Sequence, residues 1–511
     1  MRSDIAPEHA RWQPGMISDG VNDPEEIPFT DLGQRAFHGF AWILVATAAV
    51  KIITAAGQLV IASILVPADF GVVALAYSVT AFTTILQKNG LREILVQSRQ
   101  FSGYCATAFF LSLMTGLAVA ALTAVAAPAA ASIYHVPLMT YVLLVLALSA
   151  PAFSLQSVPG AKLQRDLRFK MLALLSVFEA LATTGLTLLL AYLGAGPFAI
   201  VLPLPVVQFS SFLVQLFASG IPIRMSLDWP KMMELLRSSS FLLGAAAFYA
   251  FNMQGATIVL GLFRTVGIVG IFFFANNLVT QISGLVTNNL WTVLLPSLSK
   301  LQHNPRHQTA VFLRVTRIVN LVGMPICVLI AALAAPGLHL LYGQKWSDAI
   351  PVVQVISIGM CFNISFALSI NLMMAQARYK ELFWFNFYRA AGFILLVGVG
   401  AKFAGAIGAG FATAVFLLVY GPWITYIAIR PNGGTIADVV SVHALPLLVA
   451  LLSCAVPEAL AQAIESIGAV PARHIIFVSA LSATGALILG RWFMPSAWAE
   501  LASRFKTSIA K

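Results

Sequence analysis

Four polar residues, Thr47, Lys51, Thr54 and Gln58, interrupt the otherwise apolar run 38–61. At ~100° per helical residue, Thr47, Thr54 and Gln58 fall within about 60° of Lys51, so the four form one stripe. A charge at the centre of a membrane-spanning helix costs roughly 2.5–3.5 kcal/mol on insertion scales, and water or a partner must offset it. Two arrangements would do so. The stripe can face a hydrated cavity as a cationic patch, or Lys51 can pair with Glu179, the carboxylate of the apolar run 171–193. Glu179 is then either the partner of Lys51 or an acid available for coupling transport to an ion gradient.

A second set of polar residues complements the first. Asn277, Gln281 and Asn288 fall within ~40° of one another on the run 268–292, and Asn252 lies in the run 239–262. Uncharged amides donate and accept, which suits sugar hydroxyls, and they also serve as glue between membrane helices. Arg389, in the run 381–401, is a further cation that either binds an anionic group or snorkels to the interface. No metal or cofactor is expected. His303 and His307 are separated by Pro305 and lack a third ligand, and no GxxxxGK[ST] phosphate loop occurs. No long loop offers room for catalysis, so the sequence does not read as an enzyme.

The elements that must position these residues follow from composition. Of 511 residues, 59% are apolar and 10% charged, with a mean hydropathy of +0.88. Soluble domains carry about 25% charged residues. This is an all-α polytopic membrane protein. Fourteen runs are long enough to cross the hydrocarbon as helices, at 38–61, 71–87, 104–127, 137–157, 171–193, 197–219, 239–262, 268–292, 312–340, 350–375, 381–401, 406–429, 441–463 and 474–493. The net charge of +11 is not a nucleic-acid footprint, because the basic residues alternate along the chain. With the N-terminus inside, inside segments hold twenty-four of the thirty Lys and Arg and outside loops hold four. Lys51 and Arg389 complete the set within spans. That is the positive-inside pattern, with both termini cytoplasmic.

Residues 1–35 read as a polar cytoplasmic tail without a signal peptide. Phe70-Gly-Val-Val-Ala-Leu-Ala-Tyr77 and Val269-Gly-Ile-Phe-Phe-Phe-Ala-Asn276 share a glycine at a helix entry and an alanine five residues on. Six helices separate them, as in a parallel transporter repeat. The expected organisation is two pseudo-symmetric six-helix lobes around a central cavity. They comprise 36–220 and 239–430, joined by a cytoplasmic linker 221–238, with a helix pair and tail at 431–511. Asp69 is expected to cap the second helix. The four cysteines stand singly in apolar runs, with no disulfide spacing.

Several stretches resemble a known family. Ile64-Leu-Val-Pro-Ala-Asp-Phe-Gly71 with Ala74-Leu-Ala-Tyr77 is similar to the first-loop pattern of bacterial Wzx-type polysaccharide flippases. These belong to the superfamily of multidrug, oligosaccharidyl-lipid and polysaccharide exporters. The likeness continues through Asn89-Gly-Leu91, Leu95-Val-Gln97, Leu163-Gln-Arg-Asp-Leu-Arg-Phe169, Pro296-Ser-Leu-Ser-Lys-Leu-Gln302 and Tyr342-Gly-Gln-Lys-Trp-Ser347. It implies alternating access and a cargo of undecaprenyl-pyrophosphate-linked oligosaccharide. That cargo would move from the cytoplasmic to the outer leaflet of the inner membrane, alongside other polysaccharide assembly proteins. Cations plus amides fit a sugar pyrophosphate. The alternatives are a MATE-like exporter of organic cations, a lipid II flippase and, more remotely, a membrane polymerase or ligase.

The charge alternation predicts a labelling pattern. In a variant without native cysteines, Ala195→Cys should react with an impermeant maleimide in intact cells, and Ser226→Cys only after permeabilisation. The reverse pattern would invert the topology.

Overall fold

The structure is a computed structural model, and it describes residues 29–87, 91–98, 101–233, 235, 253–287, 290–464 and 470–493. Its first half holds the long helices α1 (Phe29–Ile64), α2 (Pro67–Gln87), α4 (Phe101–Ile133), α5 (Leu138–Leu155), α7 (Phe169–Tyr192) and α9 (Pro203–Ser219). Short helices α3 (Leu91–Gln97), α6 (Ser157–Arg165) and α8 (Phe198–Val201) lie in the connections. The second half holds α10 (Met253–Phe263), α11 (Val266–Thr287), α12 (Leu290–Ser299), α13 (Pro305–Tyr342), α14 (Ala349–Ala375), α15 (Tyr379–Ile429), α16 (Ile436–Ala463) and α17 (Pro471–Phe493). No strand occurs among the described residues.

Eleven helices among the described residues are long and apolar enough to cross a membrane. The expected fourteen is not reached by this count, partly because run 239–262 is described only from Met253 and runs 381–401 and 406–429 join as α15. At 1.5 Å per residue, the 51 residues of α15 span about 75 Å, more than twice a ~30 Å hydrocarbon core. Ala404 and Gly405 leave helical geometry, and Gly405 adopts φ 58°, so the element turns back at that point. Run 268–292 is described as α11 up to Thr287 and as α12 from Leu290. Side chains such as Val45, Ile52, Leu395 and Phe217 stand exposed, as a lipid solvent permits.

The loops sort onto two ends. At one end Lys345 Nζ donates to the carbonyls of Ser63 and Ile64, and Arg264 donates to those of Ala401 and Lys402. A Cβ on Gly196 would meet Asp69, and one on Gly261 would meet Tyr134. At the other end Arg165 donates to Ser98 O, Arg168 to Ala218 O and Arg378 to Ile427 O. The first group comprises the expected outside loops and the second the expected inside loops.

Two connections at the inner end use the same device. Leu167 and Ala377 take positive φ, 56° and 55°, and each is followed by an arginine at a helix entry. Arg168 donates to the end of α9 (2.7 Å) and Arg378 to the end of α15 (3.0 Å). Each cation satisfies carbonyls that a helix end leaves unpaired, and it complements the negative end of the helix dipole. Arg378 also holds Glu381 through two bonds of 2.9 and 2.6 Å.

Helices pack mostly within each half. Contacts join α1 to α7, α4 to α5 and α5 to α9 in the first, and α13 to α14, α14 to α15 and α16 to α17 in the second. All four cysteines are free, and Cys327, Cys361 and Cys454 are buried core residues. Cys361 Sγ donates to Met324 O (3.8 Å) and Cys454 Sγ to Pro325 O (3.8 Å). Asp69 needs correction. It lies inside the first turn of α2, and its carboxylate accepts from the backbone N–H of Val66 at 3.0 Å, reaching back rather than starting the helix.

The halves cross through α2 and α11. A Cβ on Gly71 would lie 1.9 Å from Val266 O, and one on Gly270 would lie 1.7 Å from Pro67 O. The two glycines of the repeated motif thus face each other's helix entries, and only glycine lets the backbones approach so closely. Gly71→Ala and Gly270→Ala should each cost about 1–3 kcal/mol by overpacking. Thermal unfolding in detergent checks this, with Gly185→Ala, where no atom lies within 4 Å, as the control expected to leave the midpoint unchanged.

Candidate functional site

The two polar stripes meet. Gln281 Nε2, on α11, donates to Gln58 Oε1, on α1, so the amide of one half bonds the amide of the other. Lys51 lies seven residues before Gln58 on nearly the same face, about 10 Å along α1. It stands on the stripe between Gln58, which meets the second half, and Thr47, which lines a cavity of the first, two turns further from the glycine crossing than Gln58. It is half-buried and has no hydrogen bond or ion pair among the described residues. Asn277, one turn before Gln281, is half-buried on α11. Asn252 and Asn288 lie outside the described residues.

Glu179 is not held by Lys51. Gly39 packs against Phe169 and Gly57 against Thr184, so α1 and α7 run side by side in the same direction. That places Lys51 and Glu179 at similar depth, yet Glu179 accepts from Ser211 Oγ on α9 instead. Thr47 donates to Ile43 O (2.7 Å) and lines a cavity of the first half together with Glu179. Thr54 donates to Val50 O (2.8 Å), back-bonding within α1. Arg389 lies elsewhere, its guanidinium stacked 3.8 Å over the ring of Phe366 on α14. Among other amides, Asn320 bonds Ser365 Oγ and Val442 O in the fully buried interior and acts as glue.

Next to this face the two halves are sealed by Trp346. It is fully buried, its indole N–H donates to Ala62 O (2.8 Å), and its ring stacks obliquely on Phe274 at 4.1 Å. Phe70 meets it edge-on at 5.4 Å, and Tyr342 packs on Phe274 at 5.8 Å. Lys345 binds the next carbonyls of the α1 terminus, where the helix dipole favours a cation. Burial lowers its pKa from the usual lysine value, and Asp69 opposes the shift. The residues belong to α1, α2, α11 and the α13–α14 turn, so the seal fastens one half to the other.

Residues 60–351 match the family profile described as polysaccharide biosynthesis protein. The chain belongs to the polysaccharide biosynthesis protein family. That segment begins two residues after Gln58 and contains the seal, the glycine crossing and Gln281. The succinoglycan biosynthesis transport protein ExoT of Rhizobium meliloti is 23% identical over 84% of this chain and 86% of its own. The lipopolysaccharide biosynthesis protein WzxC of Escherichia coli is 22% identical over 76% and 79%. The fold is shared with the lipid II flippase MurJ in an inward closed conformation, at a TM-score of 0.72 and 12% identity, covering 88% of this chain and 98% of that one. A multidrug exporter of the MATE family aligns at 0.58 and 14% identity over 76% and 96%.

Sequence reasoning found Gln58 and Gln281 by helical spacing but missed the use made of Lys345 and Trp346. Their stretch carried only a resemblance, because nothing local says that a turn will reach a helix end some 280 residues earlier. Trp346→Ala should open the seal, so that a single cysteine at position 58 becomes labelled from the α1–α2 end. Lys345→Met should give the same direction with less loss of stability. Unchanged protection of position 58 in both would remove the seal.

Proposed function

We propose that this protein is a flippase for undecaprenyl-pyrophosphate-linked oligosaccharide repeat units. It carries them from the cytoplasmic to the outer leaflet of the bacterial inner membrane, for exopolysaccharide, capsule or O-antigen assembly. The observation that carries the reading is an unpartnered lysine beside paired amides at the junction of two helical halves, in a chain of the polysaccharide biosynthesis family. Relatives named as transport and lipopolysaccharide biosynthesis proteins support it.

In this reading the lobes are residues 36–220 and 239–430, with both termini cytoplasmic. The sealed end faces outward, and the cargo enters from the cytoplasmic side. Lys51 meets the pyrophosphate, while Gln58, Asn277 and Gln281 offer donors and acceptors to the first sugar. The bonds made by Glu179 do not favour a pair with Lys51. Its place beside Ser211 leaves it as the acid through which an ion gradient would couple. Opening requires the Gln58–Gln281 bond and the Trp346 seal to part, and the bound cargo replaces the amide partners. Nothing in such a cycle makes or breaks a covalent bond, so the protein acts as a transporter rather than an enzyme.

Transport in liposomes, with lipid-linked oligosaccharide added on one side, tests the reading. Lys51→Ala should slow it on the order of tenfold, the equivalent of about 1.4 kcal/mol of lost cargo interaction. Lys51→Arg should retain part of it. Full activity of Lys51→Ala at equal abundance would remove the phosphate contact, and movement of organic cations alone would overturn the flippase.

A further inference from the structure

The first half carries a polar interior of its own, which Thr47 of the α1 stripe and Glu179 also line. One cavity of about 440 Å³ lies among α1, α3, α5, α7 and α9, and its lining includes Arg92, Gln156, Glu179, Gln208 and Gln215. A second, of about 260 Å³, lies among α2, α4, α5 and α9, where Tyr77, Thr80, Thr83, Thr123 and Ser149 line it together with the apolar Val119, Leu146 and Leu204. Phe153 and Gln208 line both, so the two cavities adjoin across these side chains as a two-part tract. The first part lies within the roughly 300–1,000 Å³ of small-molecule sites.

The chemistry of the lining narrows the occupant. The amides are ordered in a chain. Gln156 donates to Gln208 Oε1 (2.7 Å), Gln215 donates to Gln156 Oε1 (3.1 Å) and to Ser211 Oγ (3.1 Å), and Ser211 donates to Glu179. Gln215 is 5% exposed, and its Oε1 is left without a partner, as is Arg92 Nε; a Cβ on Gly160 would touch both side chains. Buried groups without partners are rare in folded proteins and call for an explanation. In the second cavity, Thr80, Thr83 and Ser149 give their protons to carbonyls of their own helices, and Thr123 gives its proton to Thr83. Their oxygens keep lone pairs to accept with. Phe153 stands 38% exposed between the amide chain of the first cavity and the mixed apolar and hydroxyl lining of the second.

One ligand class uses all of these features. A sugar ring presents hydroxyls that both donate and accept around its rim and an apolar C–H face that packs on an aromatic ring. With one cation and one acid in the lining, the tract has no net demand for a charged ligand. We propose that it is a saccharide site, in which Phe153 underlies a sugar ring and the Gln156–Gln208–Gln215 chain binds its hydroxyls. The site takes the uncharged outer sugars of the cargo while the pyrophosphate remains at the inter-half face, and in this it rests on the flippase reading.

The test uses the lipid-linked repeat unit extracted from membranes of the source cell, and the oligosaccharide released from it by mild acid. Saturation-transfer NMR on the purified full chain should show the released oligosaccharide bound to the wild-type protein. The signal should fall at least fivefold in Phe153→Leu with Gln208→Leu and persist in Phe153→Tyr, all three with the same gel-filtration profile. An equal signal in the double variant, or none in the wild type, overturns the saccharide site. Liposome transport of the intact lipid-linked unit is scored separately. Binding of the released sugar without transport would sink the flippase and leave the site standing; transport with an undisturbed double variant would do the opposite.

Discussion

The close crossing of α2 and α11 is the contact on which the arrangement turns. Gly71 faces Val266 O and Gly270 faces Pro67 O, so two backbones touch where any side chain would hold them apart. In a membrane no hydrophobic force presses helices together, and association depends on packing and on hydrogen bonds. Small residues at a crossing are therefore the means of bringing the halves into register. Once they cross here, Phe70 and Phe274 are placed around Trp346, and Gln58 is placed opposite Gln281.

Charge is handled differently at the ends and in the interior. At the ends, Arg168, Arg264, Lys345 and Arg378 are spent on carbonyls that terminate helices, which fixes the turns and offsets the helix dipoles. In the interior, Arg389 is covered by the face of Phe366, and Glu179 is held by a hydroxyl. Lys51 has neither arrangement. Its side chain has no hydrogen bond or ion pair among the described residues.

Helical spacing made the α1 stripe and its α11 counterpart legible, because position on a wheel depends only on residue number. The charge alternation made the loop sorting legible for a similar reason, since each crossing inverts the side. Other features were hidden. The amides Gln156, Gln208 and Gln215 come from α9 and from the α5–α6 junction, and each alone looks like ordinary interhelical glue. The spacing of Gln208, Ser211 and Gln215 along α9 was the one available signal, a polar strip on a single helix face. The twin arginines Arg168 and Arg378 were equally hidden, because their shared role depends on a positive φ at the residue before each.

The sequence by itself determined that this chain lives in a bilayer, where the apolar centres of most of its described helices lie, and which loops share a side. Hydropathy and charge are local, additive quantities, and the membrane reads them one segment at a time. Only the tertiary structure decided which polar groups satisfy one another. It gave Glu179 to Ser211 rather than to Lys51, set Gln58 against Gln281, and seated Trp346 under the end of α1. Those choices depend on how helices rotate and cross, and crossing is settled by close packing between residues far apart in the chain.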